Sequence, residues 1–178
     1  MKQDTSRRRV EELFFREQYG REVVVPSLRP VLPWLALMDA RIGERVRKLA
    51  PEVFFEGGDP SRLPLETRRQ ILHQVCDLYA GGVSSRSMMD YAAVQRFSGA
   101  DLTEDVVALL KKHKDNNDLQ WFLLRMVWQG QLKGALEEVK RIALEPGAER
   151  YARMAAFRAV GAVGSATGKI EVRAAVLA

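Results

Sequence analysis

Leu124-Arg125-Met126-Val127 returns as Phe157-Arg158-Ala159-Val160, and Gly130 with Gly134 returns as Gly164 with Gly168, at offsets of 33 and 34 residues. A fixed offset of that size marks helical-hairpin repeats, each too small to bury its apolar face without a neighbour. The expected fold is all-α: a right-handed stack of antiparallel helical hairpins, a HEAT-like α-solenoid, with an irregular loop near residues 51–63. Residues 1–100 read as a helical connector and 101–178 as the repeats. The pattern over Ile170 to Ala178 is still apolar and helical with no polar cap, so the array is expected to be truncated at its C-terminus.

Within the repeats, helices are expected over Val106–His113, Leu119–Trp128, Leu136–Leu144 and Tyr151–Val163. Helical spacing places Phe122, Leu123, Met126 and Val127, and in register Ala155, Ala156, Ala159 and Val160, against the next hairpin. Trp121, Trp128 and Phe157 fill the wider gaps that an alanine-rich face leaves. Gly130 and Gly164 stand where a helix ends, which suits a left-handed terminal residue. Arg125 and Arg158 share a register and are expected either to bond neighbouring carbonyls or carboxylates or to lie on the surface. Trp121, Phe122, Arg125, Trp128 and Arg158 form the candidate interaction surface.

Working outward, Val10, Leu13, Phe14 and Glu17 predict a helix running to Gly20. Val23 to Val25 is a short β-branched run closed by Pro26 and reads as an extended linker. Ser27 is a natural cap for a second helix, which Pro33 should bend or restart downstream. A third helix begins near Asp39 and ends before Pro51, with Ile42, Val46 and Leu49 inward. Glu52 to Glu56 reads as extended, and Gly57-Gly58 with Asp59-Pro60-Ser61 as a turn. Leu65, Ile71, Leu72, Val75, Cys76 and Tyr79 make one helical stripe that stops at Gly81-Gly82. Ser84, Ser85 and Ser87 then lead into a helix from Met88 to Phe97. Asp101, Leu102, Thr103 and Glu104 resemble a capping arrangement.

Composition narrows the function classes. The chain has 178 residues, 47% apolar and 29% charged, which is ordinary for a folded globular protein. Its longest apolar run, Val31 to Met38, contains Pro33 and falls far short of the roughly 20 residues of a bilayer span. Met1 to Val10 is basic but is followed by no apolar stretch or cleavage site, so no export signal is read. A single cysteine, Cys76, fits a reducing cytoplasm. The pI near 9.6 raises the question of nucleic acid. Residues 1–50, however, hold eleven Lys/Arg against seven Asp/Glu, and beyond them basic and acidic residues interleave as on a solvated helix face. Neither a concentrated basic stripe nor interleaved aromatics is legible along the chain, so nucleic acid ranks below protein as a partner.

Chemical motifs do not close. Gly164-Ser165-Ala166-Thr167-Gly168-Lys169 imitates a phosphate-binding loop, but Val163 and Ile170 stand where that motif needs Gly and Ser or Thr, and a helix precedes it. Leu35 to Asp39 imitates a strand ending in a magnesium-binding acid, yet Pro33 favours a helix start. His73 and Cys76, three apart on one helix, are two ligands short of a tetrahedral zinc site, and His113 lies at a lysine-rich helix end. No orienting acid or amide accompanies the Cys/His pair. No catalytic, cofactor or metal residue is therefore named, and an enzyme is not expected.

Pro26-Ser27-Leu28-Arg29-Pro30-Val31-Leu32-Pro33-Trp34-Leu35-Ala36-Leu37, then Pro51-Glu52-Val53, Gly58-Asp59-Pro60-Ser61 and Leu63-Pro64-Leu65-Glu66-Thr67-Arg68, resembles the helical region that follows the ATPase core of large bacterial NACHT-like STAND NTPases. The resemblance runs from about Arg7 onward. It implies a sensor in defence or signalling whose nucleotide switch couples C-terminal recognition repeats to an effector. The P-loop and the magnesium-binding acid are missing from this sequence, so no nucleotide site carries over. The expected role is a non-catalytic, cytoplasmic scaffold or recognition segment whose partner is protein, either another domain of the same machine or a protein ligand. An independent protein-binding HEAT-like adaptor is the alternative, and a nucleic-acid-binding helical repeat the third.

Overall fold

A computed structural model describes residues 9–82 and 90–177. The leads at Arg7 and over Ser84–Met89 lie outside the described residues. Among the described residues helix dominates, consistent with the expected all-α class, with one small antiparallel hairpin beside it.

That hairpin overturns the first expectation. Residues 9–14 are helical (α1), but β1 (Phe15–Gln18) and β2 (Arg21–Val24) follow, with Phe15 opposite Val24 and Gln18 opposite Arg21. The two-residue turn Tyr19-Gly20 has φ of +52° and +71°, the left-handed pair that matches the twist of adjoining strands. Glycine adopts this freely, tyrosine at a cost. The β-branched run thus pairs back on the chain: Val23 and Val24 lie in β2 opposite Arg16 and Phe15, and the Val25 amide donates to the Phe14 carbonyl at 2.8 Å. Arg45 fixes the hairpin from below, pairing with Glu11 and Glu22 while its guanidinium lies 4.5 Å from the Phe15 ring centre.

A 3₁₀ stretch, Pro26–Val31, precedes α2 (Leu32–Met38), so Pro33 falls in the first turn and the helix does restart downstream. Ser27 makes no cap. Asp39 caps α3 (Ala40–Leu49), accepting from the amides of Arg41 and Ile42 at 2.9 and 3.3 Å. Ile42 and Val46 face inward as expected, and Leu49 is half-buried.

Residues 51–63 are not extended. Pro51–Phe55 and Pro60–Arg62 are 3₁₀ turns, and Val53, Phe54 and Phe55 are all at most 2% exposed. The segment is core, and ion pairs clamp it from the surface: Arg29 holds Glu52 at 2.7 Å and Glu56 at 2.6 Å, while Arg96 donates to the Gly58 carbonyl at 3.0 and 2.7 Å.

Helix α4 (Leu65–Ala80) carries the expected buried stripe, and α5 (Tyr91–Phe97) is capped by Asp90. The capping box expected at Asp101 does not form. Asp101 instead binds the buried Arg68 of α4, and Thr103 Oγ1 donates to the Ala100 carbonyl.

From here the chain keeps time. A 3₁₀ turn at Ala100–Leu102 leads into α6 (Thr103–Lys112) and α7 (Asn117–Gly130). Thirty-three residues on, the turn Lys133–Ala135 leads into α8 (Leu136–Leu144) and α9 (Arg150–Val163), and α10 spans Ala166–Leu177. Within each unit the two helices pack on one another, α7 also packs along α9, and α10 leans on α8 and α9. The small residues Ala155, Ala156 and Ala159 face inward, all buried, together with Phe122, Leu123, Met126 and Val127 of α7. The buried apolar residues form one cluster running from Phe14 to Val172, so the core is continuous across residue 100.

Neither glycine acts as a left-handed helix end. The left-handed residue after α7 is Gln131, at φ 54°, and Gly164 is extended at φ −73°, ψ 145°. Gly130 is helical and serves close approach to Ser98 instead.

Candidate interaction surface

The sequence nominated Trp121, Phe122, Arg125, Trp128 and Arg158 as one surface, and the fold divides them. Phe122 is fully buried. Its ring stacks on Tyr79 at 5.5 Å between centroids and meets Phe55 edge-on at 5.3 Å, while Phe55 in turn lies 4.2 Å from Phe97. Phe122 is withdrawn from the surface: it joins α7 to α4 and to the 3₁₀ segment, and no partner reaches it.

The other four form a ladder across α7 and α9. Trp121 and Trp128, two turns apart on α7, meet edge to face at 6.5 Å and are half-buried. The Arg125 guanidinium lies 5.5 Å from the Trp121 ring centre, and the Arg158 guanidinium of α9 lies 5.8 Å from that of Trp128. Arg125 is 8% exposed, and burial draws its pKa down against the opposing influence of Tyr79, Asp90 and Tyr91. It acts as an internal strut. Arg158 is exposed, and its charge rests on an indole face rather than on a carboxylate. Arg153 repeats the device one turn earlier, 5.9 Å from the ring centre of Phe157. Cations and aromatics that are scattered in the sequence are therefore interleaved in space.

Tyr151 and Met154 complete this face and were not nominated. They are 59% and 42% exposed, seven and four residues before Arg158 along one stripe of α9. The signal was present, because fixing Ala152, Ala155 and Ala159 inward fixes Tyr151, Met154 and Arg158 outward. A second exposed apolar stripe lies on the connector, where Val31, Trp34 and Met38 are 53%, 57% and 82% exposed.

A cleft of about 290 Å³ opens between the loops of the two units, lined by Lys114, Asp115, Gln120, Arg141, Glu145 and Glu149 among others. Its charges are mutually satisfied in part: Arg141 pairs with Glu138 at 2.7 Å and Glu145 at 3.6 Å, which raises the arginine's pKa. The Gln120 amide is turned inward, donating to the Leu110 and His113 carbonyls at 2.7 and 3.2 Å to close the end of α6.

The sites read as imitations fall as follows. Gly164 to Lys169 is a helix-to-helix joint in which Ser165 Oγ accepts from the Gly168 amide at 3.1 Å. Leu35 to Met38 lies in α2. Cys76 is buried and its thiol is pushed up to about 12 by desolvation, while His73 leans toward Asp105 at 3.9 Å. Among the described residues, no three His, Cys, Asp or Glu side chains gather to hold a metal ion, and no helix is long and apolar enough to cross a membrane.

Comparison with protein-family models, with curated proteins and with solved structures gives no match to this chain.

Proposed function

We propose that this chain is a non-catalytic scaffold and recognition segment of a STAND-type sensor NTPase, built as a HEAT-like array whose connector seats against another domain of the same machine. The observation that carries the reading is the exposed stripe Val31, Trp34 and Met38. Three large exposed apolar side chains, Val31 at the end of the 3₁₀ stretch and Trp34 and Met38 on α2, have a strong tendency to be covered, and they lie within the sequence stretch that resembles the region following an ATPase core. The 33-residue recurrence of turn, helix and helix supports the array, in which each unit would share its apolar face with the next.

Co-expression with the ATPase encoded in the same or an adjoining reading frame, followed by size-exclusion chromatography, tests this. Co-elution that is lost in Trp34→Glu and Met38→Glu supports it. No such ATPase, separate elution, or co-elution indifferent to both substitutions contradicts it.

The second reading, an independent protein-binding adaptor, has its own observation in the Trp128, Met154 and Arg158 face, which is rich in the residue types that dominate protein interfaces. The first reading places its protein partner on the connector, the second on the repeats.

A further inference from the structure

We propose that the outer face of α9, with Trp128 of α7 beside it, is a docking site for an acidic, apolar-flanked protein segment. A carboxylate would be received by Arg158 and apolar side chains by Met154 and Tyr151. The inference rests on the recognition role argued above and names the chemistry of what is recognised.

Charge complementarity supplies the first argument. Several arginines elsewhere on the molecule are matched: Arg29 to Glu52 and Glu56, Arg68 to Asp101, Arg69 to Asp105 and Arg141 to Glu138. Helix α9 carries Arg150, Arg153 and Arg158 and no acid of its own, because its one neighbouring carboxylate, Glu149, is spent on the amides of Tyr151 and Ala152. Among the described residues, no carboxylate lies within ion-pairing distance of these three arginines. Helix α9 thus carries positive charge that no acid among the described residues answers, and an incoming anion at Arg158 meets no competitor among them.

Pre-organisation is the second argument. A guanidinium held over an indole keeps its N–H edge available in the plane of the group, where a carboxylate is bound in bidentate fashion. The Arg158 side chain is ordered by Trp128 before any partner arrives, which lowers the entropy lost on binding. Tyr151 and Met154 stand beside it on the same stripe, largely open to solvent, and give the apolar contact that a charged pair alone lacks.

The same geometry decides against a nucleic-acid strand. Single-strand binding needs open aromatic faces on which bases stack, together with a basic track along the backbone. Here Trp121 and Trp128 each have an arginine over the ring and meet one another edge to face, and Arg68 and Arg69 of α4 are paired with Asp101 and Asp105.

Panning a random 12-residue peptide display library against the folded protein, with fluorescence anisotropy on the enriched peptides, tests the proposal. The expected result is enrichment of Asp or Glu flanked by apolar residues. Affinity should fall at least tenfold in Arg158→Glu and several-fold in Met154→Glu, and change less than twofold in the charge-matched control Arg62→Glu. All three positions are exposed, and circular dichroism establishes that the variants are folded. Enrichment without acidic residues, equal loss in Arg158→Glu and Arg62→Glu, tighter binding of a fluorescein-labelled oligo-dT than of any peptide, or no enrichment overturns it. The ATPase co-elution experiment stands apart, since it turns on Trp34 and Met38: failure there with peptide binding intact removes the STAND reading and leaves this site. The reverse outcome removes this site alone.

Discussion

Gly130 lies so close to Ser98 that a Cβ built on it would come within 2.4 Å of both the Ser98 Cβ and its carbonyl oxygen. Helix α7 can end against the loop after α5 only because the position has no side chain. Ser98 is itself buried, with its hydroxyl donating to the Val94 carbonyl at 2.7 Å, so it has no room to retreat. Gly130→Ala should therefore cost about 2 to 3 kcal/mol through overpacking. Gly161, inside α9 with open space around it, is the opposite case, and Gly161→Ala should stabilise by about 0.5 to 1 kcal/mol. Urea denaturation of both variants checks the contrast in sign.

Arg68 is 7% exposed, and Asp101 and the Phe97 carbonyl receive its N–H groups. Removing the acid strands a buried cation, whereas removing the arginine leaves an acid that is 42% exposed and hydrates readily. Asp101→Ala should cost about 2 kcal/mol and Arg68→Met about 1 kcal/mol or less. Equal losses from the two would mean that the pair lacks this asymmetry.

Cys76 is enclosed and its thiol is held near 12 by burial, so the reactive thiolate is scarce in the native state. Labelling by a disulfide reagent at pH 8 should run at least about a thousandfold slower than in the unfolded chain and should accelerate with urea as the global stability falls. Fast labelling in the absence of denaturant would show that α4 opens locally.

Burial, reinforced by Lys112, holds the His113 pKa below the ordinary 6.5. The native state then binds fewer protons than the unfolded chain across the interval between the two values. Stability contributed by the neutral ring is present above about pH 6.5 and is lost as pH falls toward the native value. His113→Gln should flatten the decline of Tm between about pH 7 and pH 5. An unchanged slope in differential scanning calorimetry would assign that decline to carboxylates.

The helical character was legible: Leu124 and Phe157 fall in helices whose boundaries lie 33 residues apart, and Asp39 and Pro33 act locally on the helix ends they begin. The hairpin was not, since Val10, Leu13, Phe14 and Glu17 satisfy a helical period as far as it goes. The deciding fact, that Phe15–Gln18 pairs with Arg21–Val24 across a left-handed Tyr19-Gly20 turn, does not register in a helical period. Phe54 and Phe55 were misread for a related reason: a short apolar run between prolines fits a strand and a buried 3₁₀ turn equally well. In the candidate surface, period placed Phe122 and Trp121 on adjacent positions of one helix without telling which of them meets Tyr79. The Arg158–Trp128 contact joins residues 30 apart and became visible only once α9 lay along α7.

The central claim is that 33 residues form one structural unit whose apolar face is satisfied by the unit beside it. The direct measurement is to insert a second copy of residues 133–165 immediately after Ser165, so that Ala166 resumes in register, and to record circular dichroism and thermal unfolding. The account expects a monomer that gains helix by one unit and unfolds cooperatively at a Tm no lower than the parent. A chain that aggregates, gains no helix, or melts well below the parent would contradict it.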